Sequence, residues 1–279
     1  MSDILLQAQD LHYRYADGTA ALNGLELSVK RGERLALMGA NGAGKSTLFL
    51  CLNGVLRPQT GMVRFAGEPV DYSRKGLLRL RRQVGIVFQD PDRQLFSADV
   101  YGELSFGPLN LGLPEPEVRA RVEQVIQELN LTDFQHKPVH LLSGGQKKRV
   151  AIAGILVMQP QVILFDEPTA ALDPLHKRLV QDIIDDLSRR GITIISATHD
   201  ASHALAWADS VAVLHNGKLL RHDTPTAIFT DEALLAQAGL EPPALLRLFH
   251  QLTRQGILPA GLPLPHTEAE LEALLIQHQ

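Results

Sequence analysis

The sequence predicts an α/β fold around a mainly parallel sheet, and three observations carry that prediction. A glycine-rich loop, Gly39 to Ser46, lies between a short apolar run, Arg34 to Met38, and a helix-like stretch, Lys45 to Asn53. Two continuous apolar runs, Val162 to Phe165 and the β-branched Ile192 to Thr198, suit strands buried on both faces of a parallel sheet. Leu175 to Leu187 reads as the helix between them.

The remaining elements follow in order. The first thirty residues read as β structure: Leu25, Leu27 and Val29 alternate with polar residues, and Tyr15 to Gly18 is a turn. Val63 to Phe65, Gly67 and Val70 suggest a small hairpin, and Val84 to Phe88 another buried strand. Glu115 to Leu129 carries Val118, Val122, Val125, Ile126 and Leu129 at helical spacing. Ser143 to Met158 reads as a helix entered through a glycine pair. Val211 to Leu214, Asn216-Gly217 and Lys218 to Leu220 form a hairpin signal with a type I′ turn. Beyond about Arg221, prolines punctuate short helices, and no repeat or low-complexity tract is evident.

Composition narrows the function classes. The chain has 279 residues, 45% of them apolar, and a mean hydropathy of −0.01, which suits a well-cored protein of one large α/β domain with a small appendage, or of two modest domains. Lys and Arg number 27 against 31 Asp and Glu, a net charge of −4, so no basic surplus points to nucleic acid. The single cysteine, Cys51, excludes an intrachain disulfide and a cysteine metal cage, and reads as a core residue in a reducing compartment. The longest apolar run, Val150 to Met158, is far short of the ~20 residues a bilayer crossing needs. Met1 to Asp10 lacks the cationic stretch and apolar core of a signal peptide. The expectation is a cytosolic chain that meets a membrane only through a partner.

The chemistry sits in three motifs. Gly39 to Ser46 fits G-x-x-x-x-G-K-S in the strand–loop–helix context the pattern requires. Its glycines let successive N–H groups face phosphate oxygens, and the helix start adds its dipole. Gly39, Asn41, Gly42, Ala43, Gly44, Lys45, Ser46 and Thr47 are therefore candidate ATP-binding residues, with Lys45 neutralising the β- and γ-phosphates and the Ser46 hydroxyl ligating Mg2+. The run Val162 to Phe165 places Asp166 at the carboxyl end of a buried strand, where it can hold the magnesium, and Glu167 beside it can serve as general base. In Leu142-Ser143-Gly144-Gly145-Gln146, Ser143 caps a helix whose bare N–H groups form a second anion site.

The histidines give no metal site by pattern. His136 and His140 are separated by Pro138, and His199, four residues before His203, closes a strand.

Taken together, residues 3 to 225 resemble an ATP-binding-cassette ATPase, with a P-loop NTPase core. Leu142 to Gln146 match the family signature LSGGQ, which in that family closes on the γ-phosphate held by a second subunit; Ser143, Gly144, Gly145 and Gln146 become ATP contacts on that reading. The resemblance implies that Tyr15, or Tyr13 two residues before it, stacks on adenine. It implies that Gln89 senses magnesium and water, that Asp173 communicates across a dimer, and that His199 contacts the γ-phosphate. Ala171 stands where relatives often carry glycine. Gln89 to Phe96 and Phe106 to Gly112 resemble energy-coupling-factor importers. Val70 to Ser73, Gly76 to Leu78, Leu80-Arg81 and Gly144 to Gly154 are similar to the cobalt-importing branch.

The expected architecture is a nucleotide-binding domain over residues 1–221, comprising the P-loop core, an antiparallel β subdomain and a helical signature subdomain at about 90–158. A small C-terminal helical appendage, 222–279, would aid dimerisation through the stripe Ala244, Leu245, Leu246, Leu248, Phe249 and Leu252. The expected function is an ATPase subunit of a cobalt importer, working as a homodimer or ATPase pair with integral membrane subunits. It would sit peripherally on the cytoplasmic face of the inner membrane and bind no nucleic acid. The alternatives are an ATPase of a nickel or vitamin importer of the same group, or a soluble relative acting on ribosomes or DNA ends. A kinase-like P-loop enzyme leaves Leu142 to Gln146 unexplained.

Overall fold

The computed structural model describes residues 3–278; Met1, Ser2 and Gln279 lie outside the described residues, so the reading of the N-terminal segment is only partly covered. In chain order the strands are β1 (Ile4–Arg14), β2 (Ala20–Lys30), β3 (Arg34–Met38), β4 (Thr60–Phe65), β5 (Glu68–Pro69), β6 (Val84–Val87), β7 (Val162–Asp166), β8 (Thr193–Ala197), β9 (Ser210–His215) and β10 (Lys218–Asp223). They form a four-stranded sheet of order β2-β1-β4-β5 and a six-stranded sheet of order β10-β9-β3-β8-β7-β6.

The first sheet is antiparallel, as the alternation of Leu25, Leu27 and Val29 predicts. Leu11 faces Leu25, Ala8 faces Leu27 and Leu6 faces Val29, so these apolar pairs are buried on one side. In the second sheet every pairing is parallel except β9 with β10. Strands β7 and β8 are buried along their whole length and β3 from Leu35 onward, which explains their continuous apolar runs. Asn216 and Gly217 both adopt positive φ, 49° and 75°, the type I′ geometry that their sequence signals.

Helix α1 (Lys45–Leu52) follows the glycine loop. Helix α2 (Arg74–Gln83), capped by Ser73, and helix α3 (Val100–Asn110), capped by Asp99, were not foreseen. Gly102, Gly107 and Pro108 disguise α3; a Cβ at Gly107 would fall 2.6 Å from Met158 Sδ, so Met158 packs directly on that glycine. Helices α4 (Glu115–Glu128) and α5 (Gly144–Leu156) match the helical periods in the sequence. Together α3, α4 and α5 share one core with α6 (Pro174–Arg189) and with one face of the central sheet, through Val87, Ile163, Phe165 and Ile194. The helical segment thus has no core of its own.

Helix α7 (Ala201–Trp207), capped by Asp200, is also unforeseen. The tail contains α8 (Pro225–Phe229), α9 (Glu232–Ala238), α10 (Ala244–Arg254) and α11 (Glu268–Gln277). By packing it divides in two. Ile228, Phe229, Leu234, Leu235 and Leu246 cover Ala36, Met38, Val211 and Val213 of the central sheet, while Phe249, Leu258 and Leu271 make a separate small core. Much of the apolar stripe on α10 is therefore spent inside the chain, leaving Leu248 on that helix 46% exposed. No described helix is long and apolar enough to cross a membrane.

Candidate nucleotide site

The glycine loop leaves β3, whose residues Leu35 to Met38 are fully buried, and enters α1. Gly39, Gly42 and Gly44 take φ of 147°, 79° and 106°. Two of them are also needed for close approach. A Cβ on Gly39 would fall 2.3 Å from Leu214 O, and one on Gly44 2.5 Å from Ala21 O. The β9–β10 turn braces the loop from outside: Gly217 N–H donates to Ala43 O at 3.0 Å, and Asn23 N–H donates to Gly217 O at 2.9 Å.

Inside the curl, Lys45 Nζ donates to Gly39 O (2.7 Å) and Ala40 O (3.2 Å). Burial holds its pKa below the usual lysine value, opposed by the nearby carboxylates of Glu167 and Asp166. Ser46 Oγ donates to Asp166 Oδ2 at 2.7 Å, joining the two residues expected to share a cation.

Sheet register assembles the rest. Asp166 of β7 pairs with Ala197 of β8, Glu167 N–H donates to Ala197 O (3.1 Å), and Thr198 N–H donates to Leu37 O (3.2 Å). The ends of β3, β7 and β8 are thereby level, so the glycine loop, Asp166, Glu167 and His199 open on one cleft. Glu167 sits at φ 45°, a left-handed turn out of β7. His199 Nε2 lies 3.1 Å from Glu167 Oε1. The approach lacks hydrogen-bond alignment, and that oxygen is buried with no donor among the described residues. Burial raises the Glu167 pKa above the ordinary carboxylate value; Lys45 opposes this and Asp166 adds to it. Burial, then the Lys45 cation, lowers the pKa of His199 and favours neutral imidazole.

The cleft encloses about 430 Å³ and is lined by Asn41 to Thr47, Gln89, Asp166, Glu167, His199 and Tyr15. Gly39 is not among the lining residues. Tyr15 Oη is 3.0 Å from Thr47 Oγ1, and Tyr13 packs edge-on behind Tyr15, 5.1 Å between ring centroids, against the core. Of the two tyrosines, Tyr15 is the one at the cleft wall. Thr19, Ala20, Ala21 and Ala170 also line it; they belong to no motif, and sequence reasoning missed them.

Ser143 to Gln146 and Asp173 lie outside this cleft. Ser143 and Gln146 form a reciprocal cap: Gln146 N–H donates to Ser143 Oγ (3.3 Å), and Ser143 N–H donates to Gln146 Oε1 (2.9 Å). The first-turn N–H groups of Gly144 and Gly145 have no intrahelical acceptor and remain available to an anion. Asp173 caps α6 by accepting from His176 N–H (3.0 Å) and pairs with His176 Nδ1 at 2.6 Å. These bonds, the backbone one first, hold the Asp173 pKa below its usual value. The His176 ring covers Gly145 so closely that a Cβ there would fall 2.1 Å from Cδ2.

The donor set suits Mg2+. Ser46 Oγ, Asp166 Oδ2 and the Gln89 side chain are available as oxygen donors at one cleft, and such a cation normally completes its shell with water and substrate phosphates. No described group of three or more His, Cys, Asp or Glu is placed to form an all-protein cage.

Comparison with known proteins gives the family and agrees with the fold. Residues 22–170 match the family model described as ABC transporter. The chain is 47% identical over 255 residues to the energy-coupling factor transporter ATP-binding protein EcfA of Methanocaldococcus jannaschii, covering 91% of each chain. It is 46% identical over 272 residues to EcfA of Methanothermobacter thermautotrophicus, covering 97% of this chain and 88% of the relative. Among solved structures, cbiO1 of Clostridium perfringens, described as part of the ABC transporter complex cbiONQ, superposes with a TM-score of 0.75 at 45% identity, covering 90% of this chain and 99% of that one. A dimeric ATP-binding cassette, MJ0796, holding ADP and Pi after hydrolysis, superposes with a TM-score of 0.72 at 27% identity over 79% of this chain and 99% of that one.

Proposed function

The chain belongs to the ABC transporter family of ATPases, and we propose that it is the ATP-hydrolysing subunit of an energy-coupling-factor importer of cobalt ions. ATP hydrolysis and the use of Mg2+ come with the family. One observation carries the proposed mechanism. The cleft holds Lys45, Ser46, Asp166, Glu167 and His199, while the anion-ready turn at Ser143 to Gly145 lies elsewhere on the same chain. The site is half a site, and a second copy facing the first completes it.

On this reading Lys45 exchanges the Gly39 and Ala40 carbonyls for the β- and γ-phosphates. Backbone N–H groups of Gly42 to Thr47 cradle the phosphates, and Tyr15 stacks on adenine. Ser46, Asp166 and Gln89 hold Mg2+, which when bound neutralises charge on the phosphate oxygens. Glu167 takes the proton of the attacking water, for which burial has strengthened it as a base. Neutral His199 donates a hydrogen bond from its ring to the γ-phosphate. The second copy offers the N–H groups of Gly144 and Gly145 with the Ser143 hydroxyl, and Gln146 keeps that turn in shape. Asp173 positions His176 against Gly145. ATP binding closes the pair and hydrolysis reopens it.

The importer assignment rests on the names of the relatives and on an exposed apolar patch. Phe96 and Phe106 are 64% and 48% exposed, their rings 4.6 Å apart edge-on, with Leu109 also exposed nearby in sequence. We assign this patch to docking on an integral membrane subunit, which makes the chain peripheral on the cytoplasmic face. Cobalt is favoured over nickel or a vitamin by the resemblance of segments 70–81 and 144–154 to the cobalt-importing branch. Co-purification with membrane subunits, followed by uptake of Co2+, Ni2+ and vitamins into vesicles, tests the assignment. Uptake of a vitamin without metal uptake overturns cobalt.

A further inference from the structure

The loop that follows β6 is fastened to α5. Lys148, on the second turn of that helix, is only 1% exposed. Its ammonium donates to two successive carbonyls, Phe88 O at 2.9 Å and Gln89 O at 2.7 Å. Gln94 makes a second clasp: its amide oxygen accepts from Phe88 N–H (3.3 Å), and its amide nitrogen donates to Ala151 O (2.9 Å) on α5. Lys147 adds a surface pair with Asp92 at 2.7 Å, a weak tie in water.

Stability alone gives little reason for a lysine here. Burial pushes its pKa down to about 8, against the pull of the Asp166 and Asp90 carboxylates. A well-packed apolar residue commonly serves as well as or better than a desolvated charge. The cation does supply orientation. Bonds to two successive carbonyls fix the peptide planes on both sides of the Gln89 Cα, and so the direction in which the Gln89 side chain leaves the backbone toward the cleft. The same helix begins at Ser143, the turn that meets the second copy's nucleotide.

We propose that Lys148 is a positioning residue for ATP hydrolysis, setting the place of Gln89 in the cleft from the helix that begins at Ser143. The inference rests on Gln89 acting at the nucleotide, as argued above. Misplacing a reacting constellation by about 1 Å can cost on the order of 100-fold, so a partial loosening is visible in rate.

The test compares full-length Lys148→Met, Lys148→Gln, Gln89→Ala and the double variant Lys148→Met/Gln89→Ala. ATP turnover and amide hydrogen exchange are measured on each. Lys148→Met is expected to lower kcat about tenfold with the KM for ATP within about twofold, a transition-state effect rather than a binding effect. Exchange should quicken in segment 88–94 and stay unchanged in β7 and β8. Lys148→Gln, which keeps a donor nitrogen but is shorter and uncharged, should fall between. The double variant should be no slower than Gln89→Ala. Wild-type turnover in Lys148→Met with a slow Gln89→Ala overturns the proposal and spares the site; wild-type turnover in Gln89→Ala overturns both. Multiplying defects in the double variant, or exchange quickened throughout the central sheet, also overturn it by making Lys148 independent of Gln89 or merely structural. If Lys148→Met does not fold, Lys148→Gln carries the same criteria.

Discussion

Glu167 Oε1 is buried without an aligned donor, and the nearest ring nitrogen, His199 Nε2, stands 3.1 Å away. An acceptor left unsatisfied at a cleft is costly to the fold and useful to chemistry, because an incoming water can donate to it.

Glu167→Gln should therefore split function from stability. Turnover falls at least about 100-fold, as for a lost general base, while ATP still binds and a closed dimer accumulates. The folded-state pKa is raised above the unfolded value, so the ionised carboxylate costs stability above that range and the cost vanishes in acid. The variant should melt a few degrees higher than wild type near pH 7 and lose that advantage toward pH 4. Turnover near wild type removes Glu167 as the base.

Lys45→Met removes a charged donor now resting on Gly39 and Ala40 carbonyls. Calorimetric titration should show ATP affinity lower by about 10- to 100-fold, the scale of one lost bond to a charged group. Unchanged affinity would place the phosphates elsewhere.

Gly145→Ala drives a methyl into the His176 ring. A single copy should bind ATP as before, because Gly145 lies outside its cleft, but the ATP-dependent dimer should weaken at least about tenfold. Adding His176→Ala should recover part of the loss. Sedimentation with and without ATP measures both; weaker ATP binding by the lone chain contradicts the half-site reading.

In the tail, two leucines two residues apart should behave differently. Leu246→Ala opens a hole under the central sheet and should cost about 2–5 kcal/mol in denaturant unfolding. Leu248→Glu, combined with Ile257→Glu, touches only exposed positions and should leave unfolding almost unchanged while weakening nucleotide-free dimerisation. A dimer indifferent to that pair removes the tail from the interface. Deleting residues 240–279 is a poorer probe, because it strips Leu246 from the cassette core as well.

The central sheet was legible because strands buried on both faces leave continuous apolar runs, and the glycine loop because a phosphate cradle tolerates few spellings. Helices α2, α3 and α7 were not. Helix α2 is dominated by arginines, Gly107 and Pro108 break the look of α3, and α7 is a single short piece after a strand end. The placing of Tyr15 at the wall and Tyr13 behind it needed β1 in three dimensions. Thr19 to Ala21 line the cleft only because β2 passes beside it. The grip of Lys148 was invisible because a lysine after a signature motif looks like solvated charge until its burial is known.

The Asn216-Gly217 turn lies outside the cleft lining yet holds the cradle's outer wall, through Gly217 N–H on Ala43 and the close approach of Leu214 to Gly39. The loop is thus moulded before any nucleotide arrives, and little ordering entropy is left to subtract from affinity. A remote hairpin tip then becomes a tuning screw for ATP. Drift at residues 216 and 217 would alter how long nucleotide stays without changing any atom that contacts it, so searches for altered exchange rates should begin there.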